Sequence, residues 1–172
     1  GAVRNHDGDV VVSCVDTRSA RRAIHVRLFE QYSSCGYWLD LGNQEATANC
    51  VLGQPPYAHG RNLWGETPRL PCVTELFPEL LDAAIPDDNK PSCSVPMSLA
   101  AQGLFINDVV VRFAAHLLYE LFSKGGIAQH GVLINLDSKR SGPIDVDPLW
   151  WRRFGYEVVG AGESEQRKAV TA

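Results

Sequence analysis

Asp9-Val10-Val11-Val12-Ser13-Cys14-Val15, followed at once by Asp16-Thr17-Arg18-Ser19-Ala20-Arg21, is the stretch whose reading decides the fold. Residues 9–15 form a short β-branched apolar run, the mark of a buried strand in a parallel sheet. Cys14, inside that run, reads as core. Residues 19–32 follow with helical spacing: Ala23, Val26 and Phe29 or Leu28 on the core side, the arginines on the other. Strand then helix, with a carboxylate between them, is how α/β folds present ligand groups at strand ends. Asp16 therefore has two readings. It holds Mg²⁺ against a nucleotide phosphate through hard oxygen coordination, or it caps the helix, a position Asp also favours.

Outward from this unit the chain keeps alternating. Residues 37–41 read as a second strand closed by a Gly42-Asn43 turn, and residues 47–52 as a third that pairs with it. Residues 53–71, rich in Pro, Gly, Asn and His, read as a long loop carrying His59 and Trp64. A short helix is expected over 76–81 and a polar loop over 87–91. The strongest helix signal runs over 98–123. Leu99, Phe105, Val109, Phe113, Leu117 and Leu121 recur near helical spacing, and Gly125-Gly126 stop it. Further strands are expected over 131–137 and 144–146. Asp147-Pro148 then opens a last helix, with Trp150, Trp151 and Phe154 on its core side. The sum is an α/β domain over 1–160, a mixed sheet with helices on its faces, and a polar tail over 161–172.

Composition narrows the function. A formal net charge of −4 argues against a dominant nucleic-acid partner. Two basic clusters (Arg18, Arg21, Arg22 and Arg27; Arg152 and Arg153) read as solvated helix faces. No apolar run reaches membrane-spanning length, and the first ten residues do not read as a signal peptide. Five scattered cysteines (Cys14, Cys35, Cys50, Cys72 and Cys93) contain no CxxC pair. That argues for a reducing, cytoplasmic compartment and against both a disulfide framework and structural zinc. Gly1-Ala2-Val3 and a lone Met97 make Gly1 read as a processing boundary or as the edge of a longer chain.

Neither G-x-G-x-x-G nor G-x-x-x-x-G-K-[ST] occurs in these 172 residues. A nucleotide enzyme of this architecture needs backbone amides or a helix N-terminus for its phosphates, so those elements are expected before Gly1. Against that background, Val12 to Arg21 resembles a stretch of the ThiF/MoeB superfamily, the ubiquitin-activating-enzyme-like adenylating proteins. There a strand ends in Asp, usually followed by Asn, with an Arg five residues after the Asp. Asp16 and Arg21 match, and Thr17 replaces the Asn. Pro71-Cys72-Val73-Thr74-Glu75-Leu76-Phe77-Pro78 resembles the family's Pro-Cys-x-x-Cys-x-x-Pro segment, with Glu75 in place of the second Cys. Ser92-Cys93-Ser94, before the long helix, resembles its crossover-loop cysteine. Tyr37 to Asn43 and residues 98–107 are most similar to the PRTRC-system ThiF branch.

The resemblance implies a Rossmann-like adenylation domain, present as its C-terminal portion. Its reaction joins ATP to the C-terminal carboxylate of a small ubiquitin-like protein as an acyl-adenylate, releasing pyrophosphate. It implies Asp16 as the Mg²⁺-binding acid, Arg21 as a cofactor-binding residue, and Cys93 as the thiol that takes the acyl group. Glu75 argues against zinc. Family members often dimerise, and the helix from Ser98 serves either a homodimer or the core. Two alternatives stay open: a degenerate relative that binds a small protein and activates nothing, motivated by Thr17 and Glu75, and a dinucleotide-binding dehydrogenase fragment.

Overall fold

The computed structural model describes residues 9–30, 35–56, 69–85 and 105–158. Five strands form one sheet in the order β1-β2-β3-β4-β5: Asp9–Ser13, Cys35–Asn43, Thr47–Gly53, Gln129–Asn135 and Arg140–Asp145. β1 runs parallel to β2, and every other pair is antiparallel, so the sheet is mixed. Helix α1 (Arg18–His25), extended by a π-helical turn (Val26–Glu30), links the two parallel strands. A short helix α2 (Val73–Leu76) and a 3₁₀ turn (Pro78–Leu81) follow β3. The long helix α3 (Ile106–Lys124) leads into β4, and a last short helix, α4 (Pro148–Trp151), follows β5.

Alternation along the strands splits the core in two. Tyr37, Leu39, Leu41, Cys50, Leu52, Val132 and Ile134 meet α3 on one face. Trp38, Val51, Ile144 and Trp151 meet Leu28, Leu70, Cys72, Val73 and Leu76 on the other. β2 is therefore buried on both sides from Cys35 to Gly42. Its two faces explain why residues 37–41 show no polar alternation in the sequence.

Several expectations are corrected. β1 stops at Ser13, two residues early, and Cys14 is exposed rather than core. The reason lies in Arg21, whose Nη2 donates to the Val15 carbonyl at 2.6 Å and turns the chain away from β2. β1 is also an edge strand of the described sheet, and Val12 is 52% exposed. The inward face is Arg21 and the half-buried Ile24 in α1, continued by Leu28 in the π-helical turn; Ala23 is exposed. Drawing one arginine inward rotates the helix, so the basic cluster at 18–27 is not a uniformly solvated face. Gly42 and Asn43 belong to β2, and the turn falls at residues 44–46. In α3 the buried set is Ile106, Val110, Ala114, Leu117 and Leu121. Phe105 and Phe113 are 68% and 41% exposed. Aliphatic side chains fill the contact with the sheet, and the two aromatic rings lie outside it.

Other readings hold. Gly125 ends α3 in the left-handed conformation. Asp147 caps α4 by accepting from Leu149 N at 2.9 Å, with Pro148 in the first turn. Of the loop expected over 53–71, Gly53 closes β3 and residues 57–68 lie outside the described residues, as do the expected loop at 87–91, the first turns at 98–104 and the tail at 161–172. Among the described residues, no helix is long and apolar enough to cross a membrane.

Candidate functional site

The carboxyl end of β1 is where the sequence places its chemistry. Cys14, Val15 and Asp16 carry the chain from Ser13 to Thr17, which caps α1. Thr17 Oγ1 accepts from Ala20 N at 3.2 Å. Asp16 is thus not the cap; its side chain is exposed at the strand-to-helix turn. Thr17 therefore has a local structural role as the cap of α1.

Behind the turn lies a buried polar network. Arg21 is 7% exposed and Asp40 0%. Arg21 Nε donates to both Asp40 oxygens, at 3.0 Å to Oδ2 and 3.2 Å to Oδ1. Ser13 Oγ donates to Asp40 Oδ1 at 2.6 Å and accepts from Trp38 Nε1 at 2.7 Å. Burial pushes the Asp40 carboxyl above its ordinary range, against the opposing pull of the Arg21 guanidinium and the Ser13 hydroxyl. Gly42 makes the room: a Cβ there would sit 2.9 Å from Arg21 Nη2. Arg21, expected to contact the cofactor, is held from behind the turn by Asp40, Val15 O and Leu41 O.

A second network surrounds Glu75. Its carboxylate accepts from Arg69 Nη1 and Cys72 N, both at 2.8 Å, and also from Arg69 Nη2. Arg69 Nη2 also donates to Tyr156 Oη at 3.2 Å, so this hydrogen bond ties the segment before α2 to the chain beyond α4. Cys72 is fully enclosed, and burial raises its thiol well above the ordinary value. A thiol in that state is a poor nucleophile and a poor metal ligand. Among the described residues, no three or more of His, Cys, Asp and Glu are grouped to hold a metal ion.

A third constellation escaped the sequence reading. His130 is fully buried at the start of β4. Its Nδ1 lies 2.8 Å from Leu52 O, and its Nε2 accepts from Trp151 Nε1 at 2.9 Å. A carbonyl partner on Nδ1 and an N–H donor on Nε2 define a neutral ring with its proton on Nδ1. Burial lowers its pKa to about 4. Both nitrogens are satisfied, so His130 pins β3, β4 and α4 together rather than serving as a base.

Cys93, His59 and Trp64 lie outside the described residues, so the structure does not bring Cys93 and Asp16 into one measured geometry. Asp40, Arg69 and His130 are the functional-looking groups that spacing alone missed. The available signal was a charge inside the apolar run Tyr37-Trp38-Leu39-Asp40-Leu41, which demands a buried partner. No family model matches the chain, and no curated protein matches it.

Proposed function

We propose that this chain is the C-terminal portion of a ThiF-type adenylating enzyme. It would activate the C-terminal carboxylate of a small ubiquitin-like protein with ATP and Mg²⁺. The observation that carries the reading is Asp16: an exposed carboxylate in the turn after a parallel strand, immediately before the cap residue of a helix. That is the position at which open α/β sheets meet their ligands. One carboxylate plus nucleotide phosphate oxygens suits Mg²⁺, a hard cation that keeps several waters and takes few protein ligands. Bound there with ATP, the metal would offset charge on the phosphates. The chain's own share is to hold Asp16 at the turn and to leave its oxygens free of α1, whose first amides are capped by Thr17 instead. On this reading the phosphate-binding loop belongs to residues outside this sequence, and Cys93 remains the proposed acyl acceptor.

The departures at Thr17 and Glu75 favour a second reading, a non-catalytic protein-binding relative. Both residues have structural work here, as helix cap and as ion-pair partner of Arg69. Mg²⁺-dependent ATP–pyrophosphate exchange by the full-length protein, as wild type and as Asp16→Asn, separates the two. The catalytic reading expects exchange that the variant loses; the binding reading expects none in either.

A further inference from the structure

We propose that Asp40 is a positioning residue for Asp16, acting through Arg21. The role for Asp16 rests on the adenylation reading; the positioning itself rests on geometry alone. The Arg21 fork is divided. Nε faces Asp40, at 3.0 and 3.2 Å from its two oxygens, while Nη2 holds the Val15 carbonyl at 2.6 Å. Val15 is the residue immediately before Asp16, so the guanidinium links a buried anion on β2 directly to the peptide that presents the exposed carboxylate. Ser13 and Trp38 fix the anion in turn, at 2.6 and 2.7 Å along the chain Trp38 Nε1 to Ser13 Oγ to Asp40 Oδ1.

A buried ion pair contributes little net stability over an apolar replacement. Its distinctive product is geometric: a planar fork addresses two acceptors in fixed directions, which an ammonium cannot copy. Here the second acceptor is the backbone of the turn. Without that bond β1 has no evident reason to leave β2 at Ser13, and Asp16 would continue along the strand.

The test uses the full chain with a nitroxide on Cys14, which is exposed and two residues from Asp16. Cys93 is replaced by Ser to leave a single reactive site, since Cys35, Cys50 and Cys72 are buried. Asp40→Asn and Arg21→Lys are compared with Ile134→Val, a core change on the α3 face of the sheet. At a temperature where all remain folded by circular dichroism, the first two should shift the Cys14 spectrum toward the fast component; Ile134→Val should not. Arg21→Lys is the sharper variant, because it keeps the charge beside Asp40 and loses only the fork. In a preparation active in exchange, Asp40→Asn should raise the half-saturating Mg²⁺ concentration while largely keeping the rate at saturating Mg²⁺. Unchanged Cys14 spectra, or unchanged Mg²⁺ half-saturation in an active enzyme, overturn the proposal. Absence of exchange in wild type counts against the adenylation reading alone, because the Cys14 spectra read the positioning without it.

Discussion

Arg21 Nε lies 3.0 Å from Asp40 Oδ2, and both side chains are enclosed between α1 and the β1–β2 edge of the sheet. Removing one partner strands the other. Asp40→Ala is expected to cost about 3–5 kcal/mol of unfolding free energy, the scale for an unpaired buried charge. Replacing both, as Arg21→Met with Asp40→Leu, should restore much of that loss. Urea titration measures both. A single variant within about 1 kcal/mol of wild type would contradict the pairing.

His130 sets a pH dependence. Its ordinary value is 6.5 and burial lowers it to about 4. A depressed imidazole means that the unfolded chain binds the proton first. The stability contributed by neutral His130 is therefore complete above pH 6.5 and lost as the pH falls through about 4. The shift corresponds to about 3 kcal/mol. His130→Gln should flatten the acid limb of the stability profile between those values. An unchanged limb would mean that other groups govern it.

Gly53 touches the segment that carries Cys72. A Cβ there would lie 2.6 Å from Cys72 Sγ and 2.7 Å from Cys72 N. Gly53→Ala is expected to cost about 1–3 kcal/mol by overpacking, with thermal melting as the check. It should also expose Cys72, now fully buried, to thiol reagents. Wild-type stability together with an unreactive Cys72 would show that the segment gives way without strain.

The sequence showed the scaffold and hid the pairings. Asp147-Pro148 and Gly125 were legible because caps and stops are local chemistry, decided within a few residues. The Thr47–Gly53 strand beside β2 was legible for the same reason, through the short connection. Cys14 was misread because the end of β1 is set by Arg21 Nη2, a contact spacing does not display. The α1 face was misread because Asp40, 19 residues on, draws Arg21 inward. His130 carried no periodic signal, since its partners Leu52 and Trp151 come from different elements. Asp16 was placed at the right turn, and its competing reading as a cap is removed by Thr17.

Cys93, on the adenylation reading, takes the acyl group after the adenylate forms. Cys93→Ala should still make adenylate but show no reductant-sensitive thioester with the ubiquitin-like protein on a non-reducing gel. A thioester that persists would exclude Cys93. Cys72 is too enclosed to replace it, and attention would move to the exposed Cys14 beside Asp16.

The most direct measurement is Mg²⁺-dependent ATP–pyrophosphate exchange by the full-length protein, with a small ubiquitin-like protein as carboxylate donor. Asp16→Asn should keep the melting temperature, because Thr17 and not Asp16 caps α1. It should lower exchange by about two orders of magnitude, the loss expected when several kcal/mol of charge stabilisation depend on the missing ligand. A variant that exchanges at the wild-type rate, or a wild-type protein that does not exchange at all, would contradict the account.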